Sequence, residues 1–154
     1  MVEDARFEDG GAKPLRLKAL DADDLQVLSA LAQDAIFPGN EMRWVPSERR
    51  FAILLNRFRW EDKGANPPER VQAALVIEDV QSVKSQGVNK GDSDTILSLL
   101  SIVFEPGEDG TGRVLLTLAG DGAIACDVEA LEVVLKDVTR PYIAPSRKAP
   151  AHPE

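Results

Sequence analysis

The residues best suited to chemistry in this sequence are arginines and aromatic side chains gathered in one short stretch. Five arginines and both tryptophans fall between positions 41 and 60, at Arg43, Trp44, Arg49, Arg50, Arg57, Arg59 and Trp60. Within 41–60 the Lys and Arg residues outnumber Asp and Glu by 5 to 2, a charge of +3, whereas the rest of the chain carries 13 against 24, or −11. A guanidinium binds carboxylates and phosphates through paired hydrogen bonds and stacks on aromatic rings. The stretch therefore predicts a surface that binds an anionic ligand or a partner, with contact residues Arg43, Trp44, Arg57, Arg59 and Trp60.

The same residues also fit a purely structural role. Tryptophans are highly buried on average, and arginines in an acidic chain readily find carboxylates nearby. The two interpretations differ in where Arg57, Arg59 and Trp60 point. Convergence on a concave pocket larger than about 300 Å³ favours a small ligand, whereas salt bridges to neighbours favour a partner surface or a structural role.

Other catalytic groups are scarce. The single histidine, His152, lies in a proline-rich end, and the single cysteine, Cys126, lies in an alternating apolar run typical of a buried strand. One His and one Cys cannot supply a zinc site of N and S ligands, and a Ser-His-Asp or Cys-His arrangement would need that same histidine. The DSD run at 92–94 lacks the later ligands of a calcium loop, and the GEDGTG turn at 107–112 carries two acids and no following Lys to hold phosphate. The sequence predicts no metal, no cofactor and no catalytic residue.

Composition limits the class of protein and partner. A chain of 154 residues with 44% hydrophobic and 29% charged residues is typical of one globular domain. A net charge of −8 and a pI near 4.7 argue against nucleic acid and against an anionic membrane surface. The acidic start lacks the features of a secretory signal, no apolar run reaches the roughly 20 residues needed to cross a bilayer, and the lone cysteine fits a reducing cytoplasm.

Hydrophobic periodicity predicts one helix near the N-terminus. Residues 15–20 alternate as a first strand with one polar face. Apolar residues then recur at helical spacing over 22–36, behind Asp21 as the N-cap and before Pro38 and Gly39.

Period-two alternation begins after the helix. Residues 42–45 and 51–60 are predicted to be strands joined by a polar break. If Arg43 and Trp44 pair across a hairpin with the later strand, some of these side chains form an anion-binding or stacking patch. The first half of 51–60 is apolar on both faces, which indicates a central strand. Arg57 and Arg59 are predicted to mark the point where one face of this strand reaches solvent.

The rest of the chain continues the same alternation. Further strands are predicted at 71–77, at 80–85 as a bulged continuation, at 96–104 and at 114–119. Residues 123–138 fit a long bent strand, although their second half, 129–138, also fits a helical face; the strand is favoured.

One helix without further helical crossovers points to an antiparallel sheet. The sequence predicts an α+β fold in which the N-terminal helix packs on a mostly antiparallel sheet of six or seven strands, open or curled into a barrel or sandwich. One domain is expected at 14–139, between a disordered segment at 1–13 and a loose proline-rich tail at 140–154.

The chain also resembles a bacterial family of small proteins known only as a domain of unknown function. The resemblance lies in three segments: LKALDADDLQVLSALAQDAI, MRWVPSERRFAILLNRFRWED and DTILSLLSIVFEPGEDGTGRVLLTLAGDGAI. It spans about residues 15 to 138, and RRFAILLNRFRWE is its most specific part. The resemblance implies a small bacterial cytoplasmic protein and brings no catalytic residue.

These observations favour a non-enzymatic binding module. Its target is expected to be a protein partner or another copy of itself, contacted through an exposed sheet edge or the arginine–tryptophan surface. The alternative is a sensor or enzyme for a small anionic ligand, with an arginine- or carboxylate-lined pocket in the mouth of the sheet. Nucleic acid and membrane are not expected as partners.

Overall fold

The structure is a computed structural model that describes residues 13–62, 69–88 and 94–143. Within these ranges the chain forms one α-helix and eleven strands. In chain order they are β1 (Arg16–Ala19), α1 (Ala22–Ala32), β2 (Ile36–Pro38), β3 (Met42–Val45), β4 (Arg50–Phe58), β5 (Glu69–Ile77), β6 (Val80–Gln86), β7 (Ile96–Pro106), β8 (Gly112–Leu118), β9 (Ala123–Val128), β10 (Val133–Asp137) and β11 (Tyr142–Ile143). The α+β class is confirmed in outline, but the predicted number of six or seven strands is too low.

The strands form one large sheet in which every described pairing is antiparallel. Their order is β1-β10-β5-β4-β2-β7-β8-β9-β6, while β3 also pairs with β4 and β11 also pairs with β5. Because β1 and β6 are two separate ends of this path, the sheet is not closed into a barrel.

The sheet has two halves, and a bent two-stranded ribbon runs from one to the other. β5 continues into β6 and β9 continues into β10 through one corner, where Glu78 N donates to Glu132 O and Glu129 N donates to Asp79 O, both at 3.0 Å. Asp79 lies in the left-handed region, with φ of 57°, a conformation that Asp tolerates better than most residues. The register shift between Val80 and Ser82 confirms the bulged continuation after 77. Residues 123–138 are extended rather than helical, as favoured, but they form two strands, β9 and β10, instead of one long bent strand. We call β1, β10, β5 and β4, with β2, β3 and β11, the larger half of the sheet. The smaller half consists of β7, β8, β9 and β6.

The helix is shorter than predicted. Asp21 caps its N-terminus, since the carboxylate accepts from Asp24 N at 2.8 Å, as expected. The helix ends at Ala32 rather than at 36, because Gln33 leaves the helical conformation with ψ of 135°, and Asp34, left-handed with φ of 65°, completes the turn into β2. The apolar residues at 35 and 36 belong to this turn and strand, so their helical spacing is coincidental.

One continuous hydrophobic core joins the helix to both halves of the sheet. Leu25, Leu28 and Ala32 of α1 belong to the same buried cluster as Phe51 and Ile53 of β4. β4 lies between β5 on one side and β2 with β3 on the other, which confirms that it is a central strand. The alternate residues of β4, such as Ala52 and Leu54, are half-buried on the face turned away from the core.

The predicted tails lie largely outside the described residues. Residues 1–12 and 144–154, with His152, and positions 92 and 93 of the DSD run fall outside the described ranges. Within the segment predicted as a tail from 140 onward, β11 pairs with β5. Among the described residues, no helix is both long enough and apolar enough to span a membrane.

Candidate functional site

Arg57 of β4 is fully buried, with 0% of its side chain exposed, and it binds two carboxylates at once. Its Nε and Nη2 donate to the two carboxylate oxygens of Asp137 at 2.9 and 3.0 Å. Its Nη1 and Nη2 donate to the two oxygens of Glu61 at 2.9 and 2.6 Å. The prediction that Arg57 marks where the strand reaches solvent is wrong, because these carboxylates satisfy the guanidinium inside the protein.

Contact between Arg57 and its carboxylates favours the charged forms of Arg57 and Glu61. Burial by itself would lower the pKa of Arg57, but its hydrogen bonds to Glu61 and Asp137 raise that pKa above its usual value. Burial would likewise raise the pKa of Glu61, but the hydrogen bond from Arg57 lowers it overall. Asp137 also accepts from Leu15 N at 2.8 Å, so the network fixes the chain just before β1 against β4 and β10.

Arg59, just past the end of β4, is also buried, with 5% exposed. Its Nη1 donates to Asp62 at 3.0 Å and to Glu69 at 2.5 Å, which ties the end of β4 to the start of β5. The prediction that Arg59 reaches solvent is therefore wrong for the same reason as for Arg57.

The predicted aromatic residues contact the interior. The indole N–H of Trp60 donates to Gln33 O, just past the end of α1, at 2.8 Å, and its ring meets Phe58 edge-on at a centroid distance of 4.7 Å. Trp44 of β3 is half-buried against the core, opposite Phe51.

The structure does not bring the five predicted site residues together. Arg57, Arg59 and Trp60 gather at the end of β4, whereas Arg43 and Trp44 lie on the β3–β4 hairpin near its start. Of the five, Arg43 alone is exposed, where Nη1 donates to Asn40 O at 2.8 Å. A role of these residues in binding stays a prediction.

A cluster of cations that the sequence analysis missed lies at the end of the larger half. Arg16 of β1 sits directly opposite Lys136 of β10, and Arg140 follows that strand. The three line a depression of about 380 Å³, together with Thr139. We call Arg16, Lys136 and Arg140 the cationic corner. The alternating basic residues of 15–18 were the available signal, but the pairing with position 136 was not visible in the sequence.

The cationic corner belongs to the face of the larger half that is turned away from the core, which we call the outer face. Cross-strand pairing defines two of its rows: Lys18, Val134, Val76, Ala52 and Arg43, and then Arg16, Lys136, Ala74 and Leu54. A second depression, of about 270 Å³, lies across β5 from the first and is bordered by Leu54, Asn56 and Ile96. Ile96 is 60% exposed. The outer face is thus apolar in its middle and has the cationic corner at one margin, while Glu41 lies beside the second depression.

The described residues contain no cluster of metal-binding side chains. Within residues 13–62, 69–88 and 94–143, no three His, Cys, Asp or Glu side chains come together as a group that could hold a metal ion. Cys126 is fully buried in β9.

Cys126 is expected to be protected from thiol reagents while the protein is folded. Burial, aided by the charge of Asp127, raises the pKa of its thiol to about 12, and only the thiolate reacts. At pH 8 a disulfide reagent such as DTNB should label the native protein far more slowly than the urea-unfolded chain. Since the chain has one cysteine, complete rapid labelling of the native protein would contradict the buried placement.

Comparison with known proteins gives one family. A family model described as "Protein of unknown function (DUF2948)" matches residues 15–152. No curated protein and no solved structure matches the chain. The matched region contains α1 and all the strands described above, and therefore both the arginine network and the cationic corner.

Proposed function

We propose that this chain, which belongs to the DUF2948 family of proteins of unknown function, is a non-enzymatic binding module that docks an acidic segment of a protein partner on its outer face. The observation that carries the proposal is the cationic corner. Arg16, Lys136 and Arg140 cluster at one end of this face in a chain whose net charge is −8. Such a local reversal of charge steers a partner of opposite sign toward one surface.

The apolar part of the outer face supports the same function. Leu54, Ala74 and Val76 are half-buried, and Ile96 stands 60% exposed beside them. The helix packs on the opposite, core-facing side of the strands, so it does not cover this surface. Protein interfaces commonly combine an apolar centre with a polar or charged rim.

The internal contacts of the predicted arginines favour binding over the alternative of an arginine- and carboxylate-lined reaction pocket. Arg57 and Arg59 are held by Asp137, Glu61, Asp62 and Glu69. Each guanidinium therefore already has carboxylate partners, and a substrate would have to displace them. The outer face requires no such rearrangement.

A matched pair of charge insertions tests the face. Ile96→Asp places a carboxylate beside the apolar depression of the outer face. Val103→Asp places one further along the same strand, where β7 pairs with β8, at a residue that is 48% exposed. Proteins captured from an extract of the source cells by the immobilised wild-type chain are identified by mass spectrometry, and each is purified and titrated against the three forms. We expect Ile96→Asp to weaken binding of the partner at least about tenfold, or 1.4 kcal/mol, and Val103→Asp to leave it nearly unchanged.

The outcomes separate this function from others. Equal affinity of a purified partner for both variants would exclude the outer face as its docking site. Capture of the chain by itself, with loss in Ile96→Asp alone, would assign the face to self-association instead. A partner that binds through neutral or basic segments would contradict the proposed acidic target.

A further inference from the structure

The cationic corner lacks the ion pairs that three other surface arginines have. Arg49 pairs with Glu129, Arg50 with Glu78 at 3.1 Å, and Arg113 with Asp127 at 3.0 Å. Within residues 13–62, 69–88 and 94–143, no carboxylate lies within ion-pair distance of Arg16, Lys136 or Arg140, although all three are exposed.

Among the described residues, Asp137 is the one carboxylate that borders this depression, and it is held by other groups. Asp137 is bound on both oxygens by Arg57, and one of these oxygens also accepts from Leu15 N at 2.8 Å. Arg57 is shared between Asp137 and Glu61, so Asp137 keeps part of its negative charge, but it is one carboxylate against three cations. The depression keeps an excess of positive charge that the described part of the chain does not neutralise.

The register of β1 against β10 favours the binding of an anion at the cationic corner. Arg16 and Lys136 are directly opposite one another across β1 and β10. Like charges in this position repel, and an anion held between them relieves the repulsion. Thr139 lines the same depression, but its hydroxyl already accepts from Gln72 N at 3.0 Å and donates to Arg140 O at 3.2 Å, so the cations alone attract the anion.

We infer that the cationic corner is a carboxylate-binding site that receives two or three neighbouring acidic side chains from the docked segment. The inference rests on the proposed function and specifies which side chains of the docked segment are bound. Arginine forks bind carboxylates in pairs, and three cations around one depression of about 380 Å³ match a short local run of acids. A long polyanion such as nucleic acid fits less well, because its remaining charge would meet a chain of net charge −8.

The test uses a fluorescein-labelled peptide, Glu-Leu-Glu-Leu-Glu, measured by fluorescence anisotropy at low ionic strength. The pocket variant is Arg16→Gln with Lys136→Gln and Arg140→Gln. The control variant is Arg49→Gln with Lys84→Gln and Arg113→Gln, which removes the same charge from exposed positions elsewhere. We expect the pocket variant to bind the peptide at least about tenfold more weakly than the control, and added salt to weaken wild-type binding.

Three further probes identify the ligand class. Gln-Leu-Gln-Leu-Gln should bind much more weakly than the acidic peptide; equal binding would overturn the inference. Displacement of the acidic peptide by inorganic phosphate at similar concentrations would assign the site to free oxyanions instead. Tighter binding of an oligothymidylate would assign it to nucleic acid. Equal affinity of the pocket and control variants for the peptide would also overturn the inference.

Failure of this inference differs from failure of the proposed function. If the pocket variant binds the acidic peptide normally while Ile96→Asp still loses its purified partner, the outer face remains a docking surface and the corner is not its anion site. Circular dichroism and thermal melts of each variant confirm folding. If the triple variant does not fold, Arg140→Gln alone is measured, since Arg140 lies outside the strands.

Discussion

Replacing Arg57 with alanine is expected to lower the free energy of unfolding by about 3–5 kcal/mol, because it leaves a buried carboxylate without its partner. Asp137 has only 2% of its side chain exposed, and two of its hydrogen bonds come from Arg57. For a chain of this length each kcal/mol lowers the melting temperature by roughly 2–4 °C, so the whole loss is about 6–20 °C. Urea denaturation and a thermal melt measure both quantities.

The matched control is Arg43→Ala. Arg43 comes from the same predicted cluster but is exposed and makes hydrogen bonds only to backbone carbonyls nearby. Its loss is expected to change stability by no more than about 0.5 kcal/mol. If Arg57→Ala proved as stable as Arg43→Ala, the arginine network would not stabilise the fold.

The misplaced solvent boundary of β4 shows what a sequence pattern can and cannot define. Alternation assigned Phe51, Ile53 and Leu55 to one face, and all three are buried on it. It could not assign Arg57 to the interior, because the carboxylate that permits burial, Asp137, is 80 residues away along the chain. A charge is buried only when its partner is buried with it.

The same limit explains the strand count and the end of the helix. The sequence showed the bend after 77 and the bend within 123–138, but each bend separates two strands in the folded sheet. β2 and β11 have three and two residues, too few for a periodic signal. At the end of α1, Ala35 and Ile36 continue the helical spacing, and only the backbone conformations of Gln33 and Asp34 reveal that the helix has stopped.

The cationic corner depends on register, which single-sequence reasoning does not supply. Arg16 alternates with Lys18 on a polar strand face, and Lys136 is a single basic residue 120 positions after Arg16. Antiparallel pairing of β1 with β10 places Arg16 and Lys136 opposite each other. By contrast, the arginine-rich stretch was conspicuous because its members are close in sequence. Two arginines that are close together in the sequence, Arg57 and Arg59, are paired with carboxylates inside the protein. Two cations without ion pairs in the described part of the chain, Arg16 and Lys136, are far apart in the sequence.

The junction between the halves of the sheet predicts a second large effect, for Phe37→Ala. β2 has three residues, pairs with β4 through a single residue pair and pairs with β7 through three, so it connects the larger half to the smaller one. Phe37 is 1% exposed and belongs to the shared core. Its truncation should cost about 3–5 kcal/mol, because a cavity would open where few backbone hydrogen bonds hold the halves together.

The control for Phe37→Ala is Ile96→Ala, on the neighbouring strand and 60% exposed, which should change stability by no more than about 0.5 kcal/mol. Both tryptophans, Trp44 and Trp60, lie in or next to the larger half, so their fluorescence reports that half, whereas far-UV circular dichroism reports both. We expect the two urea transitions of Phe37→Ala to move together, since the bent ribbon through Asp79 still couples the halves and one core serves them both. Separate transitions would mean that β2, rather than the ribbon, is what makes the two halves unfold as one.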